Sequence, residues 1–316
     1  MADTVGARVV ISEFMDAAAV RSLESRFGTV YDPTLVDHRG ALEEQLAGAD
    51  ALIVRNKTQV DADLIAGARQ LKIVGRLGVG LDNIDLPACQ ARAIQVIPAT
   101  GANALAVAEY VIGTAMLLLR GAYRSTPAVA SGKWPRSALS HGREIAGKTL
   151  GVVGFGSIGQ SSGRLARALG MRVIGFDAKV SEDDPVWTAE QTSPRKFDEV
   201  LRDADVVTLH VPLTAVTRGL IDVEKLSLMK PDAILINTSR GGIVDEAALA
   251  TALKSGKLGG AAIDVFDTEP LPAGSPLAGC PHLVLTPHIA GITHESNARV
   301  SSLIAEKVAA ALLARP

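Results

Sequence analysis

The sequence predicts an α/β protein built from two doubly wound parallel sheets. Short runs of Val, Ile, Leu and Ala recur along the chain and alternate with amphipathic stretches, the order expected of parallel strands connected by helices. Aromatic residues make up only 3 % of the chain, so aliphatic side chains must form the core, as in sheets covered on both faces. With 316 residues, the chain is long enough for two domains of ordinary size.

Charge and cysteine content limit the expected partners. The net charge is −2 and no basic block occurs, so neither nucleic acid nor an anionic membrane surface is expected to bind. The two cysteines, Cys89 and Cys280, have neither metal-ligand spacing nor the density of a disulfide framework. The prediction is a cytoplasmic protein with reduced thiols and no bound metal.

The first hundred residues read as one α/β unit that lacks a phosphate-binding motif at its first turn. Strands are predicted at 8–11, 51–54, 72–74 and 95–97, and helices at 17–27, 42–47, 62–68 and 86–91. Residues 98–103 then break the pattern and open a long helix that ends near Leu119.

The segment from 120 to 144 has no clear periodicity and contains Trp134. A stretch of this length without regular structure is unusual inside a compact domain. It is predicted to be a mobile lid or an arm that packs on a second subunit, and the arm is favoured. The apolar segment before it, 102–119, is interrupted by Glu109 and Thr114, which indicates a buried or interface helix rather than a membrane span.

The stretch from 150 to 177 carries the most specific pattern. An apolar run leads into Gly154, Gly156 and Gly159. A helical pattern and a β-rich run follow, and the latter ends in Asp177. Strand, glycine turn, helix, strand and acid in this order form the dinucleotide-binding motif of the Rossmann fold. Its glycines allow a tight turn, close approach of the backbone to a pyrophosphate, and close packing of helix on strand.

The residues around this motif indicate the cofactor. The amides of Ser157 and Ile158, at the start of the helix, are placed to meet the phosphate charge. Asp177 is placed to accept hydrogen bonds from the adenosine ribose and would repel a 2′-phosphate, so NAD is favoured over NADP. Lys179 follows closely and keeps NADP open as the alternative.

The rest of the chain completes a second doubly wound unit. Strands are predicted at 206–210, 234–237, 261–265 and 283–285, and helices at 197–202, 222–228 and 246–255. A last amphipathic helix begins at Ser296, and the spacing leaves open whether it continues this unit or returns to the first.

Three ionisable residues follow successive predicted strands of this unit: Arg240, Glu269 and His288. Each alone has an ordinary explanation, as a surface cation, a solvated carboxylate or a loop histidine. Ligands of such sheets bind at the carboxyl ends of the strands, however, and all three lie there. Histidine suits acid/base chemistry near neutral pH, a carboxylate partner would fix its tautomer, and arginine binds carboxylates. Together they suit the interconversion of a 2-hydroxy acid and a 2-oxo acid.

Six motifs give the chain a resemblance to the D-isomer-specific 2-hydroxyacid dehydrogenase family over nearly its whole length. Besides the glycine-rich stretch they are G-R-L-G-V-G-L-D-N-I-D at 75–85, H-V-P-L-T at 210–214, N-T-S-R-G-G-I-V-D-E at 237–246, A-I-D-V-F-D-T-E-P at 262–270 and T-P-H-I-A-G at 286–291. The resemblance implies that His288 is the acid/base, Glu269 its partner and Arg240 the substrate-binding arginine. Asp264 would contact the nicotinamide carboxamide. Further cofactor contacts would come from Pro212, Thr217, Thr238, Ser239 and Gly291.

The resemblance also implies how the domains are arranged. A Rossmann NAD-binding domain, 99–289, would be inserted into a discontinuous, flavodoxin-like substrate domain of residues 1–98 plus 290–316. Family members dimerise through the segment around 100–140, so a homodimer is expected. Glu269, where formate dehydrogenases carry glutamine, disfavours that activity.

The expected substrate is a small anionic 2-hydroxy or 2-oxo acid, and V-R-N-K-T at 54–58 bears on which one. Arg55 and Lys57, with Asn56 between them, would receive a second anion on the third carbon, either sulfonate or phosphate. The alternative is that Lys57 is a solvated loop cation. By the resemblance, the amides of Val79 and Gly80 would receive the substrate carboxylate.

The opening V-I-S-E-F-M-D and the ending H-I-A-G-I-T-H-E-S-N resemble the (S)-sulfolactate dehydrogenases within this family. They imply oxidation of (S)-3-sulfolactate to 3-sulfopyruvate, with 3-phosphoglycerate or glycerate as the alternative. A different class, NAD-sensing scaffolds that act as corepressors, is also represented among relatives. The retained arginine, glutamate and histidine favour an enzyme.

Overall fold

The computed structural model describes residues 5–314, and it divides them into two compact units. Unit 1 comprises the described residues up to Asn103 together with those from Ile292 onward, and unit 2 is Ala104–Gly291. Each unit contains one sheet in which every strand pair is parallel. The predicted α/β class with two parallel sheets is therefore confirmed.

Unit 1 contains a five-stranded sheet in the order β2-β1-β3-β4-β5. Its strands are β1 (Val5–Ile11), β2 (Phe27–Tyr31), β3 (Ala51–Val54), β4 (Ile73–Arg76) and β5 (Gln95–Pro98). Its helices are α1 (Ala17–Glu24), α2 (Arg39–Leu46), α3 (Ala62–Gly67), α4 (Leu86–Ala91) and, from the end of the chain, α12 (His294–Leu313).

The last helix packs on unit 1, which answers the question that spacing left open. Its buried side chains join Val9 and Ile11 on one face of the sheet, while Val10 points to the opposite face, as alternation along a strand requires. Gly75 of β4 allows the close approach of α12, because a Cβ there would lie 2.8 Å from Val308 Cγ2. A larger residue at Gly75 would force the side chains of Val308 and Ile304 to move.

The predicted helix over 17–27 is wrong in its last turn. The helix ends at Glu24, and Phe27 begins the edge strand β2, which the sequence reading missed. In the sequence, Phe27 follows Leu23 at helical spacing, and both side chains are buried in the same core. The hydrophobic pattern therefore looked like one longer helix. Gly28, next in the chain, pairs with Arg8 of β1 as a strand residue.

Unit 2 contains a seven-stranded sheet in the order β12-β11-β10-β9-β6-β7-β8. Its strands are β6 (Thr149–Val153), β7 (Arg172–Phe176), β8 (Ser193–Pro194), β9 (Val206–Leu209), β10 (Ile234–Asn237), β11 (Gly260–Ile263) and β12 (Leu283–Leu285). Its helices are α5 (Ala104–Arg120), α6 (Thr126–Ala130), α7 (Ser157–Ala168), α8 (Pro185–Ala189), α9 (Phe197–Asp203), α10 (Val223–Leu228) and α11 (Glu246–Lys254).

The segment between α5 and β6 is more structured than its irregular pattern suggested. It contains a 3₁₀ turn, Ala122–Ser125, and the short helix α6, followed by turns. Within residues 5–314, no single helix is long and apolar enough to cross a bilayer. α5 together with 122–130 meets that test of length and composition only as a pair bent by 68°.

Candidate active site

The glycine turn after β6 has the shape that a pyrophosphate requires. Gly154 has φ of 95°, and a Cβ there would lie 2.4 Å from the carbonyl oxygen of His210. A Cβ on Gly159 would lie 2.3 Å from the Gly154 carbonyl oxygen, so α7 packs directly on the turn. Among residues 5–314, nothing lies within 4 Å of such a Cβ on Gly156, which leaves open space at the first amides of α7. Gly154 and Gly159 therefore allow the tight turn and the close packing of helix on strand that were predicted for this motif.

Asp177 follows β7 and is fixed by two backbone amides. One carboxylate oxygen accepts from the Phe155 amide at 2.7 Å, and the other accepts from the Lys179 amide at 2.8 Å. Each carboxylate oxygen can accept a second hydrogen bond, so the group can still bind a ribose hydroxyl. The first of these bonds also ties the carboxylate to the glycine turn.

Two further loops at this edge carry predicted cofactor residues. Thr217 Oγ1 donates to the Pro212 carbonyl oxygen at 2.6 Å, which closes the loop after β9. Ser239 Oγ donates to the Leu209 carbonyl oxygen. Thr238 Oγ1 is buried and has no hydrogen-bond partner among residues 5–314. A buried hydroxyl without a partner is uncommon, and it fits a site whose remaining partner is the cofactor.

His210 also lies at this edge, directly after β9. Its Nε2 lies 3.0 Å from Thr208 Oγ1, and burial lowers the pKa of the imidazole to about 3. His210 is therefore uncharged at neutral pH.

Glu269 and His288 form a hydrogen-bonded pair. His288 Nδ1 lies 2.8 Å from one Glu269 carboxylate oxygen, and the other oxygen accepts from the Phe266 amide at 3.0 Å. The pair comes together because β11 and β12 are neighbours in the sheet and both residues follow the carboxyl ends of these strands. With a carboxylate as acceptor, Nδ1 carries the ring proton and leaves Nε2 to exchange a proton with a ligand.

Asp264 holds the loop that carries His288, a role that sequence reasoning missed. The carboxylate is 1 % exposed and accepts from Thr286 Oγ1 at 2.6 Å and from the amides of Ile289 and Ala290 at 2.9 and 2.8 Å. The His288 amide donates to the Asp264 carbonyl oxygen at 2.8 Å. These bonds hold His288 in a left-handed backbone conformation, with φ of 55°.

The Asp264 network continues into α5. Tyr110 and Thr286 hydroxyl oxygens lie 2.6 Å apart, and Tyr110 donates because the Thr286 proton is already given to Asp264. Burial raises the pKa of Tyr110, so its hydroxyl keeps the proton that it donates.

Arg240 lies on a loop that packs against the Glu269 loop. Asn237, at the end of β10, donates through Nδ2 to the Arg240 carbonyl oxygen at 3.0 Å and accepts from the Ser239 amide at 3.0 Å. A Cβ on Gly241 would lie 1.8 Å from the Phe266 carbonyl oxygen, so only glycine allows the two backbones to come this close. The structure therefore brings the Arg240 loop against the loop of Glu269.

The predicted substrate residues lie in unit 1, at the carboxyl ends of β3 and β4. Arg55 Nη2 donates to Asn297 Oδ1 at 2.7 Å, while Lys57 is exposed. Burial lowers the pKa of Arg55, but an arginine remains charged at any relevant pH. Val79 and Gly80 lie in the loop after β4, and Val79 is exposed. These residues and the three catalytic candidates therefore belong to different units of the chain.

Replacing Glu269 with glutamine tests the pair. Gln has one acceptor oxygen for two donors, Phe266 N–H and His288 Nδ1–H, so one donor faces an amide NH₂ group. Loss of one charge-assisted hydrogen bond predicts a decrease in kcat of about 10- to 100-fold. Steady-state rates against pH, with NADH affinity as control, measure this effect. A kcat close to wild type over the whole pH range would contradict the role of Glu269.

Comparison with known proteins agrees with this geometry. A family model described as "D-isomer specific 2-hydroxyacid dehydrogenase, NAD binding domain" matches residues 112–290. The chain is 53 % identical over 304 residues to an (S)-sulfolactate dehydrogenase of Chromohalobacter salexigens, covering 96 % of this chain and 98 % of that protein. It is 38 % identical over 304 residues to a D-3-phosphoglycerate dehydrogenase of Methanocaldococcus jannaschii, covering 95 % of this chain and 56 % of that protein.

The fold is also shared with solved structures. A crystal structure of a Thermus thermophilus protein superimposes with a TM-score of 0.86 at 34 % identity, covering 98 % of this chain and 97 % of the other. The match of the family model over most of unit 2 and the identity over nearly the whole chain lead to one conclusion. The chain belongs to the D-isomer-specific 2-hydroxyacid dehydrogenase family and is an NAD-dependent oxidoreductase that interconverts a 2-hydroxy acid and its 2-oxo acid.

Proposed function

We propose that the protein oxidises (S)-3-sulfolactate to 3-sulfopyruvate with NAD, and catalyses the reverse reduction with NADH. The observation that carries the substrate assignment is the pair of cations Arg55 and Lys57 on one loop of unit 1. The similarity to the Chromohalobacter salexigens (S)-sulfolactate dehydrogenase supports it. A second candidate substrate is 3-phosphoglycerate, since the curated relatives include D-3-phosphoglycerate dehydrogenases, of whose length the chain spans about half.

In this proposal His288, Glu269 and Arg240 perform the chemistry at the substrate's second carbon. The hydride on that carbon passes to the nicotinamide, which is the chemistry that NAD supplies when bound. His288 takes the hydroxyl proton at Nε2, because Nδ1 donates to Glu269. Glu269 then stabilises the imidazolium, and Arg240 binds the substrate carboxylate through its planar guanidinium. In the reverse reaction His288 returns the proton to the oxygen of the 2-oxo acid.

The proposal assigns unit 1 as the substrate domain, corresponding to the predicted 1–98 plus 290–316, and unit 2 as the NAD domain, corresponding to 99–289. Arg55 and Lys57 bind the sulfonate on the third carbon, with Asn56 beside them, and the amides of Val79 and Gly80 bind the carboxylate. The cofactor contacts are those predicted from the sequence. Asp177 and the open space at Gly156 support that assignment most directly.

Neutralising the two cations tests the substrate assignment. The Arg55→Gln, Lys57→Gln double variant is expected to raise KM for sulfopyruvate by about 10²-fold or more, through two lost charge-assisted hydrogen bonds. KM for glyoxylate, which lacks a third carbon, should change far less. Arg69→Gln is a matched control, because Arg69 is exposed and precedes the opposite, amino end of β4. Equal increases for both substrates would rule out a second-anion site.

We further propose a cytoplasmic homodimer that assembles through residues 100–140. Exposed apolar side chains on α5 and the following segment support this surface: Leu105, Met116, Tyr123, Val129 and Trp134. Sedimentation equilibrium of the wild-type protein should give the mass of two chains. The Tyr123→Ser, Trp134→Ser double variant should shift the measured mass toward that of a single chain. A wild-type mass of one chain would contradict the dimer. The unpaired Cys89 and Cys280 support a reducing compartment.

A further inference from the structure

Glu13 is a buried carboxylate outside the catalytic set. Glu13 lies two residues after the end of β1, and it is only 5 % exposed. β1 pairs with β3, so Glu13 and the loop 55–58 follow the carboxyl ends of neighbouring strands. Burying a carboxylate is costly unless several donors surround it, so its partners show what it does.

Four consecutive backbone amides donate to this one carboxylate. Glu13 Oε1 accepts from the amides of Arg55 at 2.8 Å and Thr58 at 3.0 Å. Glu13 Oε2 accepts from the amides of Asn56 at 3.3 Å and Lys57 at 3.2 Å. The carboxylate therefore determines the backbone path of the whole loop.

Other contacts complete the loop. Ser12 and Thr58 hydroxyl oxygens lie 3.0 Å apart, and Asn83 Nδ2 donates to the Thr58 carbonyl oxygen at 2.7 Å. The Arg55 guanidinium reaches Asn297 Oδ1 and lies 5.9 Å from the centre of the Phe14 ring. Glu13 thus holds the loop backbone, while Asn297 and Phe14 contact the Arg55 side chain.

This arrangement decides which groups of the loop can bind an anion. All four amides are already used by Glu13, so the loop cannot bind an anion as a nest of backbone N–H groups does. Only the side chains of residues 55–57 remain for that purpose. Their positions depend on the backbone that Glu13 holds.

We propose that Glu13 is a specificity-determining positioning residue. By accepting hydrogen bonds from the amides of residues 55–58, Glu13 positions Arg55 and Lys57 to bind the anionic substituent on the third carbon of the substrate. This inference rests on the proposed function, since it assigns Glu13 a part in selecting 3-sulfonated or 3-phosphorylated acids over acids that lack such a group.

The test compares Glu13→Gln and Glu13→Asp with Asp50→Asn. Gln keeps the size of the side chain but places an NH₂ group against two of the four donors, whereas Asp keeps the charge. Asp50 is a matched control, because its carboxylate also accepts a backbone amide, that of Arg8, at 2.8 Å. Asp50 lies just before β3, at the amino end of the strand and away from the loop 55–58. Each variant is assayed with sulfopyruvate and with glyoxylate, alongside NADH affinity and thermal stability.

Glu13→Gln is expected to raise KM for sulfopyruvate by about tenfold or more, with kcat and the KM for glyoxylate within about twofold of wild type. Glu13→Asp should recover part of the loss. Asp50→Asn should lower thermal stability without changing the ratio of the two KM values. If Glu13→Gln is too unstable to assay, Glu13→Asp decides: its ratio of KM for sulfopyruvate to KM for glyoxylate should exceed that of wild type. Equal KM increases for both substrates, or the same ratio in Asp50→Asn, would overturn the inference.

Hydrogen exchange separates this inference from the proposed function. In Glu13→Gln, the amides of residues 55–58 should exchange faster while those of the core strand β3 stay protected, whatever the substrate is. Unchanged exchange in that loop would overturn the role of Glu13 even if sulfopyruvate is a good substrate. Wild-type protein that does not turn over sulfopyruvate or 3-phosphohydroxypyruvate would overturn the proposed function and the selectivity assigned to Glu13, while the exchange result still reports what holds the loop.

Discussion

His288→Asn is expected to lower kcat by about 10²- to 10⁴-fold, because the variant removes the acid/base that exchanges the substrate proton. Asparagine is the suitable replacement, since His288 has φ of 55° and asparagine tolerates the left-handed conformation better than most residues. The loop held by Asp264 should therefore keep its shape. NADH affinity should stay close to wild type, because the variant leaves the glycine turn untouched.

The matched control is His282→Asn. His282 also has positive φ, of 52°, but it precedes β12 at the opposite end of the strand from His288. The control should retain wild-type turnover. An active His288→Asn enzyme, with kcat near wild type at neutral pH, would remove His288 from its assigned role.

Arg240→Gln is expected to lower kcat/KM by about 10²- to 10⁴-fold, since two charge-assisted hydrogen bonds to the substrate carboxylate are lost at roughly 1.5–3 kcal/mol each. Arg240→Lys should lie between this variant and wild type, because lysine keeps the charge but not the planar pair of donors. Arg202→Lys, on the exposed face of α9, serves as control. Steady-state rates with any accepted 2-oxo acid measure the difference. Equal activity of Arg240→Gln and wild type would show that this arginine does not bind the substrate.

The features that the sequence predicted best are those carried by local patterns. The glycine turn could be predicted because Gly154 and Gly159 each meet a steric requirement of one short segment, while Gly156 leaves open space beside them. The placement of Glu269 beside His288 could be anticipated because parallel strands bring their carboxyl ends to one edge of the sheet.

The roles of Glu13 and Asp264 could not be predicted, for a physical reason. Both are carboxylates that accept backbone amides from loops elsewhere in the chain, and an amide donor leaves no mark on the sequence of the loop that provides it. The edge strand β2 was missed for a related reason. The position of Phe27 in the sequence fits the apolar face of helix α1 and also fits a strand. Its pairing with β1, a contact distant in sequence, makes it a strand residue.

The most direct test of the central claim is a side-by-side measurement of kcat/KM with NADH for sulfopyruvate, 3-phosphohydroxypyruvate, hydroxypyruvate and pyruvate. The proposed function predicts that sulfopyruvate has the highest value and that pyruvate and hydroxypyruvate, which lack a second anion, have values lower by about 10²-fold or more. A higher value for 3-phosphohydroxypyruvate would reassign the substrate within the same two-cation site. The highest value for pyruvate or hydroxypyruvate, or no NADH oxidation with any of the four, would contradict the claim.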